Sequence, residues 1–239
     1  NANGLIVLCT IVAIIGASGI SGFLVEGGSS GWLIGLVMIP VAIIGVLGAL
    51  LIPRLEAADP GRKWEWNPLG RYWSDLCAMR GGPLYPAVWA WSLFYFISII
   101  IISIIPELQE PMGGTTEDTS LLLAATALGI GIGCGMAGLC SGSSIRVGMV
   151  PWGAAGLAVA WFLLGLLPLD FVTVCGLLLL GGLSAGFFIV PLQAMQQRLA
   201  PPEQRGRYLA TANALCYVMM TVAALVYIAL IHLGLGPQQ

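Results

Sequence analysis

Seven stretches of the chain are apolar on every side, and short polar segments separate them. They cover residues 5–23, 32–52, 84–105, 120–140, 147–167, 171–192 and 208–231, and none contains Asp, Glu, Lys or Arg. A hydrocarbon core of about 30 Å needs roughly 20 apolar residues in helical form. Backbone inside lipid has no water to bond, so each span has to satisfy its own N–H and C=O groups as a helix. The pattern predicts an all-α fold, a polytopic transmembrane helix bundle of about seven spans.

The connecting segments carry a second pattern. All nine basic residues lie in alternate connections: Arg54, Arg62, Lys63, Arg71 and Arg80 after the second span, Arg146 after the fourth, and Arg198, Arg205 and Arg207 after the sixth. The other connections hold Glu26, then Glu107, Glu110, Glu117 and Asp118, then Asp170. Cytoplasmic loops concentrate Lys and Arg, so the first residue is expected inside and the last outside. The three arginines before the last span suit either this topological role or contact with lipid phosphates.

Composition narrows the classes further. The chain is 58% hydrophobic and 8% charged, against about 25% charged in a soluble domain. No basic face is dense enough to neutralise many phosphates, which argues against nucleic acid as a partner. Of the six cysteines, all but Cys77 fall in apolar runs and none form a CxxC pair. They read as small packing residues rather than a disulfide framework. There is no HExxH, no Walker motif and no metal-ligand cluster, so neither metal nor cofactor is expected.

Residues 53–83 read as a cytoplasmic linker. Trp64, Trp66, Tyr72 and Trp73 stand among basic residues, as in a headgroup zone. Asn67-Pro68 suits a helix start. Leu69, Trp73, Leu76 and Met79 or Arg80 then follow at helical spacing, which predicts a short amphipathic helix on the membrane surface.

The first and last spans resemble each other. Ala2-Asn3-Gly4-Leu5 begins one and Ala212-Asn213-Ala214-Leu215 the other, and at the same offset Val12-Ala13 meets Val222-Ala223. Parallel repeats of six helices are the building rule of the major facilitator fold. On that rule the first span is helix five and the last is helix eleven. Residues 1–52 are then the last two helices of the N-terminal half, and residues 84–239 are five of the six C-terminal ones. Asn1 stands where an initiating Met is expected, so the chain is expected to be part of a twelve-helix protein.

Local motifs give the resemblance a direction. The segment from Asn67-Pro68 to Arg80 with Trp89-Ala90-Trp91-Ser92-Leu93-Phe94-Tyr95, and Gly186-Phe187-Phe188-Ile189-Val190-Pro191-Leu192-Gln193-Ala194, resemble bacterial lysophospholipid-transporter-like facilitators. Pro201-Pro202-Glu203-Gln204-Arg205-Gly206-Arg207 is similar to that group's turn between helices ten and eleven. The group's signature between helices eight and nine departs here, with Ser141 standing where an acid is expected. The resemblance implies a transporter in a bacterial inner membrane that moves or flips an amphiphilic lysophospholipid, with membrane lipid as its surroundings. It also implies a fused or associated acyltransferase. A small-solute efflux permease and a membrane scaffold for that acyltransferase are the alternatives.

Candidate pathway residues are the polar ones inside spans. Asn3 and Asn213 place an amide just inside two helices, where a buried amide wants partners, and Tyr217 follows one turn beyond Asn213. Ser92 and Tyr95 form a polar patch with Trp89, Trp91 and Ser98; the tryptophans equally suit an interfacial belt. Gln193 and Gln196, with Gln197, suit either a zwitterionic headgroup or the solvation of a helix end. Gly129, Gly131, Gly133, Gly135, Gly138 and Gly142 crowd the fourth span, as close helix packing or a flexible gate would require. Gly16-Ala17-Ser18-Gly19 matches an intramembrane serine-protease motif, and His232 is the one histidine. Ser18 and His232 stand six spans apart, which argues against a dyad, so no catalytic residue is expected.

Overall fold

The computed structural model describes residues 13, 31–52, 67–142, 144–168 and 170–234. The span at 5–23, most of the linker, Asn3 and Ser18 lie outside the described residues. The longer helices among the described residues are α1 (Gly31–Leu50), α2 (Pro68–Ala78), α3 (Leu84–Ile104), α4 (Thr116–Ser141), α5 (Met149–Leu166), α6 (Phe171–Leu199) and α7 (Arg205–His232). Helices α3 to α7 are each long and apolar enough to cross a bilayer. No strand occurs among the described residues.

The helix boundaries follow from capping chemistry. Thr115 and Asp118 form a capping box at the start of α4: the Thr115 N–H donates to Asp118 Oδ2 at 2.7 Å, and the Asp118 N–H donates to Thr115 Oγ1 at 3.4 Å. Asp170 starts α6 by accepting from the Thr173 N–H at 3.0 Å. These acids answer the positive end of each helix dipole. The connection after α3 tucks back inward as a 3₁₀ turn, Ile105–Leu108, that buries Ile105 and Leu108.

One boundary differs from the hydropathy reading. Helix α6 does not stop at residue 192 but continues through Pro191 to Leu199. A proline is tolerated within a membrane helix when neighbours satisfy the freed carbonyl, and Gln, Met, Arg and Leu beyond it are good helix formers. Gln193, Gln196 and Gln197 therefore belong to a helix that outlasts its apolar run.

Helix α6 is the hub, with α4 and α5 packed along it, while α3 pairs with α7 and also touches α6. Three buried clusters mark three depths. One joins Leu76, Met79, Leu84, Val88, Ala200 and Ala212 at the end that carries the arginines. A central one joins Ala87, Trp91, Phe94, Ala185, Ile189, Leu192 and Cys216. The third joins Ile105, Leu108, Leu122, Leu164, Val174, Leu177 and Leu178 at the acidic end. The bundle is thus polarised, with arginines at one end and helix-capping acids at the other.

Glycine sets how closely α4 and α6 approach. A Cβ on Gly133 would lie 2.2 Å from the Leu183 carbonyl oxygen, and one on Gly186 would lie 2.2 Å from the Cys134 nitrogen. One turn away, Gly129 and Gly182 meet the opposing backbone in the same reciprocal way. Gly135 and Gly138 face open space. Small residues drive membrane helices together because lipid offers no hydrophobic force between them.

Candidate functional site

Helix α7 leaves much of its surface uncovered, and that surface is divided. Val218, Val222, Leu225 and Ala229 form an apolar exposed strip, as lipid requires. Beside it Asn213, Tyr217 and Thr221 recur every four residues, all exposed, with Tyr217 68% accessible. Four-residue spacing keeps them on one face. Thr221 spends its hydroxyl on the Tyr217 carbonyl at 2.9 Å, which leaves the Asn213 amide and the Tyr217 phenol as the outward-facing polar groups. A polar strip on a membrane helix marks a face turned to protein or a wet cavity rather than lipid tails.

Helix α3 brings a second aromatic group alongside. Tyr95 is half-buried, edge-on to Trp91 at 5.1 Å and to Phe94 at 5.4 Å, and packs against the central cluster to which α7 contributes Cys216. Phe94 in turn stacks on Phe188 of α6 at 5.6 Å. The result is an aromatic wall spanning α3 and α6, with Tyr95 packed on the cluster that includes Cys216, the chain neighbour of Tyr217.

The remaining candidates sit elsewhere. Ser92 is fully buried, and its hydroxyl donates to the Val88 carbonyl of its own helix at 2.9 Å. Ser98 does the same toward Phe94 at 2.8 Å. Trp91 is buried in the central cluster. Gln193 is half-buried, and Gln196 is buried with no partner for Nε2 among the described residues; Trp89 Nε1 is in the same condition. Arg198 and Arg205 are exposed at the basic end. His232 is exposed, with Nδ1 2.8 Å from the Ile228 carbonyl.

The sequence reading missed a heavily partnered group. Asp75 of α2 is 3% exposed and sits at the start of α7. Its Oδ1 lies 3.0 Å from Arg207 Nε and 3.8 Å from Arg71 Nε. The Thr211 hydroxyl points at Asp75 Oδ2 (3.3 Å) and at the Arg207 carbonyl (3.0 Å). Arg207 is further fixed by donating Nη2 to Gln204 Oε1 at 2.8 Å, and it lies over the Tyr208 ring at 5.1 Å. The first turn of α7 holds no acid of its own. Asp75 therefore supplies the negative charge that both the arginine and the positive helix end lack.

Helix α2 presents this group by orientation. Asn67 caps it, accepting from the Gly70 N–H at 2.9 Å, with Pro68 in the first turn. Asp75, Leu76 and Met79 face the bundle, while Leu69 and Trp73 are 74% and 63% exposed. The stripe of Leu69, Trp73, Leu76 and Met79 read from spacing is therefore split between two faces. A carboxylate on the apolar side of an amphipathic helix was the available signal.

Residues 1–224 match the family model described as Major Facilitator Superfamily. Several curated proteins named lysophospholipid transporter LplT are similar. The one from Klebsiella pneumoniae subsp. pneumoniae is 30% identical over 99% of this chain and 60% of its own length. That from Enterobacter sp. (strain 638) is 31% identical over 89% and 52%, and that from Pectobacterium carotovorum subsp. carotovorum is 32% identical over 82% and 48%. The chain spans about 60% or less of these relatives' lengths. No solved structure matches.

Proposed function

This chain belongs to the major facilitator superfamily, and we propose that, in its intact form, it moves a lysophospholipid-like amphiphile across a bacterial inner membrane by alternating access. The basic end faces the cytoplasm, which puts the first residue inside and the last outside. The observation that carries the reading is the polar strip of Asn213 and Tyr217 on α7, which packs along the helix that carries Tyr95, in spans free of charged residues. An amphiphile suits such a pathway: its headgroup needs hydrogen-bonding groups, and its acyl chain tolerates the apolar strip alongside. The names of the relatives support the same substrate class. Rocking of one six-helix half against the other is the motion this fold uses.

Each side chain has a distinct task. Asn213 offers both a donor and an acceptor to a zwitterionic or phosphate headgroup. The phenols of Tyr217 and Tyr95 donate to its oxygens, and Phe94 and Phe188 give the wall rigidity. Arg198 and Arg205 gather phosphate-bearing lipid at the cytoplasmic surface. An acyltransferase, fused or associated, is the partner that would consume a delivered lysophospholipid. The test is movement of labelled lysophospholipid into vesicles containing the intact protein. Asn213→Ala and Tyr217→Phe are expected to slow it with protein amount and folding unchanged. Full-rate movement in both variants would remove the strip from the pathway.

A further inference from the structure

Asp75 lies outside any substrate pathway drawn above, yet among the described residues it is the buried acid, and it stands beside two guanidinium groups. Its contacts reach across 136 positions to Thr211, and every partner except Arg71 belongs to the first turns of α7. Two turns beyond Arg207 the polar strip begins at Asn213, on the same continuous helix. Leu76 and Met79 flank Asp75 and pack with Leu84, Val88 and Ala212, so α2 is fastened to both α3 and α7. Those two helices carry Tyr95, Asn213 and Tyr217.

We propose that Asp75 is a positioning residue that clamps the linker helix α2 to α7, so that displacement of the chain preceding α2 is passed to the α3–α7 pair. A linker helix resting loosely on the surface would absorb such a displacement by swinging. Asp75 resists this because opening the clamp parts the carboxylate from Arg207 and Thr211 and leaves it only the more distant Arg71 of its own helix, while Arg207 keeps only Gln204 and the Tyr208 ring. To the ion pair with Arg207 the Thr211 hydroxyl adds a directional hydrogen bond to Asp75, which restrains the angle of α2 as well as its attachment. This inference rests on the transport reading for its consequence, but the clamp itself does not.

The test uses the intact protein in liposomes, in a background where the native cysteines are replaced and Met79→Cys reports on α2. Met79 is buried under the closed clamp, so labelling by a bilayer-impermeant maleimide is slow. Asp75→Ala is expected to speed labelling about tenfold or more, through local opening of α2. The exchanged pair Asp75→Arg with Arg207→Asp is expected to return it toward the starting rate. Thr211→Val is the milder variant, with a smaller increase, should Asp75→Ala fail to fold. In transport, the maximal rate falls in Asp75→Ala while the KM for lysophospholipid stays constant, and the exchanged pair recovers the rate. Unchanged labelling in Asp75→Ala and Thr211→Val overturns the clamp. Faster labelling with an unchanged maximal rate overturns the coupling. A wild type that moves no lysophospholipid removes the transport reading, while the labelling still decides the clamp.

Discussion

Replacing Gly186 with Ala tests the packing of the bundle at its tightest point. The new methyl carbon would sit 2.2 Å from both the Cys134 nitrogen and the Gly133 carbonyl carbon, where ordinary contact begins at 3.4 Å. Both obstacles are backbone, so no side chain can rotate away, and α4 and α6 have to part by about 1.2 Å along that line. A gap of that size forfeits a quarter to a half, or more, of each dispersion contact it opens. Overpacking costs about 1–3 kcal/mol, and the rigid obstacle puts this site near the top of the range. Alanine returns about 1 kcal/mol in helix propensity, leaving a net loss of about 2 kcal/mol. Gly135→Ala is the control: nothing lies within 4 Å of its added carbon, so only the propensity gain remains. Unfolding in mixed detergent micelles, followed by tryptophan fluorescence, should separate the two variants by about 3 kcal/mol. Equal stabilities would refute the argument that α4 and α6 touch backbone to backbone.

Three further outcomes follow from single contacts. Removing the Asp75 carboxylate as Asp75→Ala should cost about 3 kcal/mol, the lower end for a broken buried pair because Arg207 keeps some solvent, read in the same micelle assay. Tyr227→Phe removes the hydroxyl that donates to the Ser103 carbonyl at 2.8 Å and joins α7 to the acidic end of α3; a loss of about 0.5–1.5 kcal/mol is expected. Hydrogen bonds from the Thr173 side chain and backbone hold the Asp170 carboxyl below its ordinary range. A lowered folded-state value means that this cap stabilises α6 above the unfolded-state pKa and is lost as pH falls through the folded one. Thermal stability should accordingly drop as pH falls below about 4, the ordinary Asp range, and the Asp170 share of that drop should vanish in Asp170→Asn, which caps at any pH.

The five spans of α3 to α7 were legible because lipid demands apolar residues all round, and such runs stand out whatever their neighbours are. The extent of α6 was not, since hydropathy ends at Gln193 whereas the backbone ladder does not. Glycine crowding on α4 was visible, but which glycines meet α6 depends on helix rotation: Gly129 and Gly133 do, while Gly135 and Gly138 face open space. Asn213 stood out as an amide out of place in an apolar helix, and its exposure on α7 fits with that. Asp75 escaped because its partners lie more than a hundred residues away, and no local pattern distinguishes a clamped acid from a solvated one. Arg207, taken for a topology signal, has a specific partner as well.

The central claim is that the polar strip on α7 forms part of a path for an amphiphile. Its most direct measurement is movement of a labelled lysophospholipid into liposomes containing the intact protein, comparing wild type with Asn213→Ala at matched protein content. The account predicts movement by the wild type and a several-fold slower rate in the variant, with the micelle unfolding curve unchanged. Equal rates in wild type, variant and protein-free liposomes would contradict it.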